Sequence, residues 1–366
     1  MIERRHIRNF DLTLALTALA ILGFGCIAIY SASSTKPTHY VERQLIYAAI
    51  GVIAAIIFGS IDHEIYRRYA GKLYGWTVVL LLVVLKFGHQ SKGAVRWIGI
   101  GPFQFQPSEF AKVVMIICLA VFFVSRQDEI KRLKTVVLSL VYLAVPMLLI
   151  FKQPDLGTSL TLVAIWVVMA FVGGVDAKHL IGFGVFAILL GVTAWCVPGI
   201  MKDYQKNRLA SFINPSRDPL GSGYHVIQSR IAIGSGRFLG KGYLKGTQRK
   251  LRFIPEQHTD FIFTVVGEEF GFAGAVGLVA LYFLLIWRAL NIMFVTEDAT
   301  GRLIAAGIIG MFVFHIFVNI GMTIGIMPVT GVPLPLFSYG GSSLVTALIA
   351  IGILEGISIR RHRISF

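Results

Sequence analysis

The chain has 366 residues, of which 55% are hydrophobic and 14% are charged. Soluble domains average roughly 45–50% apolar and about 25% charged residues, so this composition excludes an ordinary soluble globular protein. A membrane-spanning helix needs about 20 apolar residues, and the chain has room for many of them. The formal net charge of +15 suits anionic lipid, phosphate or nucleic acid, and the hydrophobicity favours the membrane. We therefore expect one all-α, polytopic integral membrane domain over residues 1–366.

Apolar runs bounded by charge, Pro or Gly predict about ten transmembrane helices. The charged start MIERRHIRNFD is not followed by a small-residue cleavage site, so we expect the first span to be retained. Cys26, Cys118 and Cys196 lie in apolar runs, and an odd number without a CxxC pair indicates packing residues. The predicted spans are about 11–33, 43–60, 70–88, 108–125, 136–151, 156–173, 179–198, 261–287, 302–325 and 333–358.

Lys and Arg residues are divided unevenly between the two sides of this arrangement. Sixteen share the side of the termini and six lie on the other side. Because cytoplasmic loops carry the excess of Lys and Arg, both termini are predicted to be cytoplasmic. The sixteen are Arg4, Arg5, Arg8, Arg67, Arg68, Lys72, Arg126, Lys131, Arg132, Lys134, Lys178, Arg288, Arg302, Arg360, Arg361 and Arg363, and the six are Lys36, Arg43, Lys86, Lys92, Arg96 and Lys152.

One connection, residues 199–260, is predicted to be a large extracytoplasmic loop because it far exceeds the length of an ordinary structureless join. Recurrent Phe, Tyr and Ile residues indicate that it packs on the membrane domain. Its eleven basic and four acidic residues favour an anionic ligand. Glycines interleaved with Arg237, Lys241 and Lys245 can bring backbone amides and cations close to a phosphate. Solvated charge beside anionic headgroups is the alternative.

Ionisable residues in or near spans are functional candidates, because a charge at the bilayer centre costs about 2.5–3.5 kcal/mol on insertion scales. Glu109 and Lys112 share one face of the fourth span, which Ser108 is predicted to cap. They form either a structural ion pair or the charged wall of a water-filled cavity. Asp155 opens the sixth span, as a helix N-cap or as a cavity residue.

The segment IPEQHTDFIFTVVGEEFG places Asp260 at the start of the eighth span, where it is either an N-cap or an acid facing a cavity. Since Asp260 lies level with Glu109 and Asp155, we expect these acids to converge on one outward cavity. A carboxylate there suits general-base chemistry on a sugar hydroxyl.

The other polar residues near the spans are better explained by structural roles. His315 and Asn319 share a helix face and are predicted to be hydrogen-bonded packing residues. Glu268 and Glu269 must find a donor or a cavity, because both lie inside the eighth span. Between the last two spans a regular helix is forbidden by Pro328, Gly331, Pro333 and Pro335, which supports a polar chamber on the outer side.

Five ordered segments make the chain resemble the SEDS family (shape, elongation, division and sporulation proteins). They are KGAVRWI with FQPSEFAK (92–112), QPDLGTS (153–159), GYHVIQSRIAIGSG with GKG and GTQ (223–248), PEQHTDFIF with GEEFG (255–271), and PVTGVPLPLFSYGGSS (328–343). The AIGSG and GKGYLKGTQ tract resembles the RodA type more than the FtsW type.

The resemblance implies a ten-helix peptidoglycan glycosyltransferase of the bacterial cytoplasmic membrane. Such an enzyme polymerises lipid II outside the membrane during cell elongation and maintains cell shape. By position, Asp260 matches the family's essential acidic residue, Glu109, Lys112 and Asp155 match polar cavity residues, and Trp97 matches an important outer-loop tryptophan. The implied partners are a class B penicillin-binding protein, which supplies transpeptidation, and MreC and MreD in rod-shaped cells.

The implied reaction joins the 4-hydroxyl of an acceptor GlcNAc to the anomeric carbon of a MurNAc on undecaprenyl pyrophosphate, with inversion. Asp260 is predicted to be the general base, and basic loop residues to stabilise the departing pyrophosphate. Metal dependence stays open, because Mg²⁺ or Mn²⁺ can bridge a pyrophosphate and a carboxylate. A flippase or transporter of lipid-linked precursor and a scaffold are the alternatives. The candidate pyrophosphate ligands are Arg208, Arg230, Lys241 and Lys245.

Overall fold

The computed structural model describes residues 9–34, 39–91, 94–100, 103–197, 201, 203–215, 222–247 and 257–360. Seven of the basic residues used to predict the orientation lie outside these ranges. They are Arg4, Arg5, Arg8, Lys36, Lys92, Arg361 and Arg363.

The described residues form a helical bundle that confirms the prediction of an all-α chain with ten spans. Ten helices, α1 to α7 and α11 to α13, are long and apolar enough to cross a membrane. The helices are α1 (Leu12–Ser33), α2 (Tyr40–Ser60), α3 (His63–Phe87), α4 (Pro107–Val124), α5 (Leu133–Lys152), α6 (Leu156–Gly173), α7 (Ala177–Cys196), α8 (Asp203–Ile213), α9 (Ser222–Ser235), α10 (Phe263–Glu269), α11 (Gly271–Val295), α12 (Ala299–Ile324) and α13 (Gly341–Ile359).

Two predicted spans begin later than expected. The eighth span, α11, starts at Gly271, and the short helix α10 precedes it; Gly271, with a φ of +64°, separates the two helices. The tenth starts at Gly341 and not near residue 333. Its prolines lack the backbone N–H that a helix needs, and Gly331 has a φ of +76°, so residues 328–340 remain non-helical.

A small antiparallel sheet precedes α4 and was not predicted. Its strands, β1 (His89–Ser91), β2 (Ala94–Ile100) and β3 (Phe103–Phe105), pair in the order β1-β2-β3. The Cα atom of Ile98 pairs with that of Phe105, and Gly99 pairs with Gln104. The sheet carries Arg96 and Trp97 to the start of α4.

The core is formed by α4, α12 and α13, which are the most buried spans, whereas α7 has no buried residue and lies at the periphery. Helix α2 packs closely on α13, where a Cβ at Gly352 would lie 2.2 Å from the Ala55 carbonyl oxygen. All three cysteines are free: Cys118 is buried as predicted, whereas Cys196 is exposed on α7.

The two chain ends lie on the same face of the bundle. Ser358 Oγ donates to the Asn9 carbonyl at 2.9 Å, and Arg360 Nη2 donates to the Ser60 carbonyl at 2.7 Å. We call the side marked by these four residues the terminal face. The opposite side, where α4 and α6 begin, is the distal face.

The described parts of the 199–260 connection pack on the membrane domain, as expected from their apolar residues. Helix α9 packs against α10 and α12, and Ser229 Oγ on α9 donates to the Thr323 carbonyl near the end of α12. These described parts therefore lie on the distal face, at the end of α12 opposite to the terminal face.

Candidate active site

A cavity of about 350 Å³ opens on the distal face between the starts of α4 and α6, the middle of α12 and the 328–340 segment. All five residues that the sequence predicted for the catalytic or substrate cavity line it, together with one of the four basic candidates. They are Trp97, Glu109, Lys112, Asp155, Asp260 and Arg208. The expectation that several acids converge on one cavity is confirmed.

A buried ion pair forms the floor of the cavity. Lys112 Nζ lies 2.9 Å from both carboxylate oxygens of Glu109, and the two residues are 1% and 4% exposed. The pair is thus both a structural salt bridge and a cavity wall, the two roles that the sequence left open. Ser108 is not the predicted cap, because α4 begins at Pro107, which suits the first helical position, with Gln106 as the N-cap.

His315 of α12 extends this charged floor. Its Nε2 lies 3.4 Å from Lys112 Nζ, and the side chain is buried and lines the cavity. The sequence predicted a packing residue here and missed the cavity position. Because the contact joins two helices that are far apart in the sequence, the sequence pattern shows only a polar residue within an apolar span.

Asp155 is both a helix cap and a cavity residue. Its Oδ1 accepts from the Thr158 backbone N–H at 3.2 Å, and its Oδ2 accepts from Gln106 Nε2 at 3.2 Å. Arg96 Nη1 lies 3.8 Å from Oδ1, while Arg96 Nε donates to the Gln153 carbonyl at 3.0 Å. Arg96 also lines the cavity and was not among the predicted cavity residues, although it directly precedes Trp97.

Asp260 lies in a turn and does not cap a helix, so the N-cap alternative is wrong. Helix α10 begins at Phe263, and its N-cap is Ile262. Asn319 Nδ2 donates to the Asp260 carbonyl at 3.0 Å, which fixes the turn to α12. A Cβ at Gly331 would lie 3.4 Å from Asp260 Oδ2, so the carboxylate faces the 328–340 segment at the cavity wall.

The four predicted pyrophosphate ligands lie in different places. Arg208 on α8 lines the cavity. Arg230 on α9 lies beside the end of α12, where its Nε is 3.0 Å from the position of a Cβ at Gly325. Lys241 Nζ donates to Glu268 Oε1 at 2.8 Å, and Lys245 is exposed. Of these four, Arg208 is the cation that shares the cavity with Asp260.

The glycine-rich tract after α9 binds carboxylates of its own chain. The backbone amides of Leu244 and Gly246 donate to the Glu269 carboxylate, and that of Thr247 donates to Glu268 Oε1 at 2.7 Å. These amides are therefore occupied, which corrects the hypothesis that the tract is an open phosphate cradle. The expectation that Glu268 and Glu269 find donors is confirmed. We call Lys241, Leu244, Gly246, Thr247, Glu268 and Glu269 the loop clasp.

The cavity holds anionic and cationic side chains but no cluster suited to a metal ion. Over the part of the chain that the structure describes, no three or more His, Cys, Asp or Glu residues are grouped to hold one. What the cavity lining offers is therefore the Asp260 carboxylate and the guanidinium groups of Arg96 and Arg208, together with the buried Glu109–Lys112 pair.

The chain matches the family model described as "Cell cycle protein" (FTSW_RODA_SPOVE) over residues 11–363. It is 41% identical over 358 residues to "Peptidoglycan glycosyltransferase MrdB" of Escherichia coli (strain K12), covering 98% of this chain and 95% of that protein.

Two solved structures share the fold over nearly the whole chain. A chain from "Structural coordination of polymerization and crosslinking by a peptidoglycan synthase complex" is 34% identical, with a TM-score of 0.83 and coverage of 97% of this chain and 99% of that chain. The Thermus thermophilus rod shape determining protein RodA is 30% identical, with a TM-score of 0.72 and coverage of 97% and 98%. This multi-pass membrane protein therefore belongs to the FTSW_RODA_SPOVE family, the SEDS family that its motifs resemble.

Proposed function

We propose that the chain is a RodA-type peptidoglycan glycosyltransferase that polymerises lipid II during cell elongation and maintains cell shape. The observation that carries this proposal is the position of Asp260 in one cavity with Arg208 and the buried Glu109–Lys112 pair. A carboxylate and cations in a partly enclosed site suit glycosyl transfer from a pyrophosphate donor. The name of the E. coli relative supports the same activity.

In this mechanism the Asp260 carboxylate accepts the proton of the acceptor GlcNAc 4-hydroxyl as that oxygen bonds to the anomeric carbon of the donor MurNAc. The bond between this carbon and the pyrophosphate oxygen breaks, and its electron pair leaves with undecaprenyl pyrophosphate. Attack opposite to the leaving group inverts the anomeric centre. Arg208 and Arg96, which line the same cavity, stabilise the charge that develops on the pyrophosphate.

The remaining site residues shape the cavity. Glu109 and Lys112 fix its floor, Asp155 holds the start of α6, and Trp97 contributes an aromatic wall. Arg230, Lys241 and Lys245 lie outside the cavity lining, and any role for them in pyrophosphate binding stays a prediction that their positions do not support.

The proposed membrane orientation follows from the distribution of charge, and the proposed partners follow from the relatives. The excess of Lys and Arg on the terminal side supports cytoplasmic termini, with the cavity and the 199–260 loop outside the bacterial inner membrane. Residues 1–366 then act as one membrane domain. The solved complex described as coordinating polymerization and crosslinking supports a class B penicillin-binding protein as partner. MreC and MreD stay predictions from the family resemblance.

The test compares polymerisation of purified lipid II by the wild type, Asp260→Asn and Asp176→Asn, each with and without a class B penicillin-binding protein. Asp176 is a matched control, because it is an exposed aspartate before α7 with no side-chain capping bond. We expect Asp260→Asn to lose about 10²–10⁴-fold in rate, the usual contribution of a general base, and Asp176→Asn to retain activity.

Near-normal polymer from Asp260→Asn would exclude Asp260 as the base. If the wild type with its partner made no polymer, the proposed glycosyltransferase activity would be wrong. In that case, movement of fluorescent lipid II across a vesicle membrane would support the transporter instead.

A further inference from the structure

A second cavity lies on the terminal side of the membrane domain, away from the candidate active site. Its volume is about 480 Å³, within the range of roughly 300–1,000 Å³ that small-molecule sites occupy. Helices α3, α4 and α5 form its walls. We call it the terminal-side groove and define it by Arg67, Gly71, Tyr74, Cys118, Phe122, Arg126, Tyr142 and Val145.

The inner wall of the groove presents carbon atoms. The Tyr74 and Tyr142 rings stack with centroids 4.1 Å apart, and the Phe122 ring lies 5.7 Å from that of Tyr142. The Tyr74 hydroxyl donates to the Tyr142 carbonyl at 2.9 Å, and Cys118 Sγ donates to the Ala70 carbonyl at 3.3 Å. Because these polar atoms are bonded within the wall, the groove suits an apolar chain.

Two arginines lie at the end of the groove nearest the terminal face. Arg67 is in the first turns of α3, one residue after Tyr66, whose hydroxyl donates to the Phe58 carbonyl at the end of α2. Arg126 follows the end of α4, with its guanidinium 4.3 Å from the centre of the Phe122 ring.

Among the described residues neither guanidinium pairs with a carboxylate, and Arg126 Nη1 lies 3.5 Å from Ser125 Oγ. In the described ranges no carboxylate lies within 4.0 Å of Arg67 or Arg126, whereas Arg132 pairs with Glu129 nearby. An unneutralised pair of guanidinium groups is a strong site for phosphate oxygens. The groove thus combines an apolar channel with two arginines at its end on the terminal side.

Gly71 keeps the groove open. A Cβ at this position meets no atom within 4 Å, so a larger side chain would project into empty space. In a helix interior glycine is less favourable than alanine by about 0.8–1.0 kcal/mol. Its presence on the groove wall is consistent with a ligand that needs this room.

We propose that the terminal-side groove binds an anionic phospholipid of the adjoining leaflet. One acyl chain lies along Tyr74, Phe122 and Tyr142, and the phosphate lies between Arg67 and Arg126. The site is separate from the proposed catalytic cavity, so the proposal does not depend on the glycosyltransferase activity.

The test is native mass spectrometry of the full-length protein in detergent with equal concentrations of phosphatidylglycerol and phosphatidylcholine. We expect the wild type to retain the anionic lipid roughly tenfold more strongly, since each basic residue adds to the attraction for anionic lipid. The Arg67→Gln/Arg126→Gln variant should lose this preference. Arg132→Gln, which removes an exposed arginine outside the groove, should keep it.

A second pair of variants tests the apolar part of the site. Gly71→Leu should fill the groove and lower retention of the anionic lipid severalfold. Gly75→Leu is its matched control, because Gly75 lies one turn further along α3 in equally open space and does not line the groove. A Cβ at either position meets no atom within 4 Å, so both variants should fold.

Three outcomes would overturn the proposal. The first is equal retention of the two lipids by the wild type. The second is a loss of retention in Arg132→Gln or Gly75→Leu as large as that in the groove variants. The third is displacement of phosphatidylglycerol by equimolar undecaprenyl pyrophosphate, which would assign the groove to a polyprenyl chain.

Discussion

Asn319 and Asp260 are joined by a hydrogen bond of 3.0 Å from the asparagine Nδ2 to the aspartate backbone carbonyl. The same Nδ2 donates to the Val332 carbonyl at 2.8 Å. One buried amide of α12 therefore holds both the turn that carries Asp260 and the non-helical 328–340 segment. Gly331, with a φ of +76°, lets that segment pass beside the Asp260 carboxylate without a Cβ in between.

We predict that Asn319→Ala lowers kcat for lipid II polymerisation by about 10- to 100-fold, because a misplacement of about 1 Å can cost 10²-fold in rate. The variant keeps the Asp260 carboxylate but removes the hydrogen bond from residue 319 to the Asp260 backbone carbonyl. The measurement is steady-state polymerisation, with KM expected to change less than kcat.

The control for this prediction is Asn291→Ala. Asn291 is exposed on α11, so its removal should leave kcat unchanged. Wild-type kcat in Asn319→Ala would show that the turn is held by other contacts.

The Glu109–Lys112 pair gives a prediction about stability. Glu109→Gln and Lys112→Met should each lower the free energy of unfolding by about 3–5 kcal/mol, because each leaves an uncompensated buried charge. The Glu109→Gln/Lys112→Met double variant should lose less than the sum of the two. The measurement is a double-mutant cycle on the unfolding of the detergent-purified protein.

An exposed pair provides the matched control. Glu129 and Arg132 have the same i,i+3 spacing, but their side chains are 52% and 69% exposed. Breaking this pair should change the free energy of unfolding by no more than about 1 kcal/mol, as is usual for surface ion pairs. Additive losses at Glu109 and Lys112 would mean that the two charges do not stabilise each other.

The sequence predicted what depends on local pattern. Length and hydropathy located ten spans, and the i,i+3 spacing of Glu109 and Lys112 predicted their contact, because both signals lie within one helix. The predicted start of the tenth span was wrong because the prolines before Gly341 prevent a helix there, although the segment is apolar. The small sheet was missed because its strands are short and pair only with each other.

Long-range contacts were harder to predict. Arg96 reaches Asp155 from another element, and His315 reaches Lys112 across the core, so neither partner is visible from sequence spacing. The pairing of Lys241 with Glu268 was also not predicted. It places Lys241, a predicted pyrophosphate ligand, in the loop clasp. The prediction that the glycine-rich tract cradles a phosphate was wrong, because its backbone amides donate to Glu268 and Glu269 of the same chain.

The loop clasp gives the last prediction, which concerns local stability. Lys241 Nζ donates to Glu268 Oε1 and to Thr247 Oγ1, each at 2.8 Å, and Glu268 is 1% exposed. Lys241→Met removes the cation and leaves the buried carboxylate with fewer donors. A hydrogen bond to a charged group contributes about 1.5–3 kcal/mol, so the free energy of opening of residues 236–247 should fall by that amount.

Hydrogen exchange of the backbone amides measures this opening directly, because Gly242, Gly246 and Thr247 donate their N–H groups to Glu268 or Glu269. Lys245→Met is the matched control: it removes an exposed lysine from the same segment and should leave the exchange rates unchanged. Equal protection in the wild type and Lys241→Met would show that the backbone bonds to Glu268 and Glu269 hold the segment without the lysine. Faster exchange confined to Lys241→Met would establish the ion pair as the contact that fastens the loop to α10.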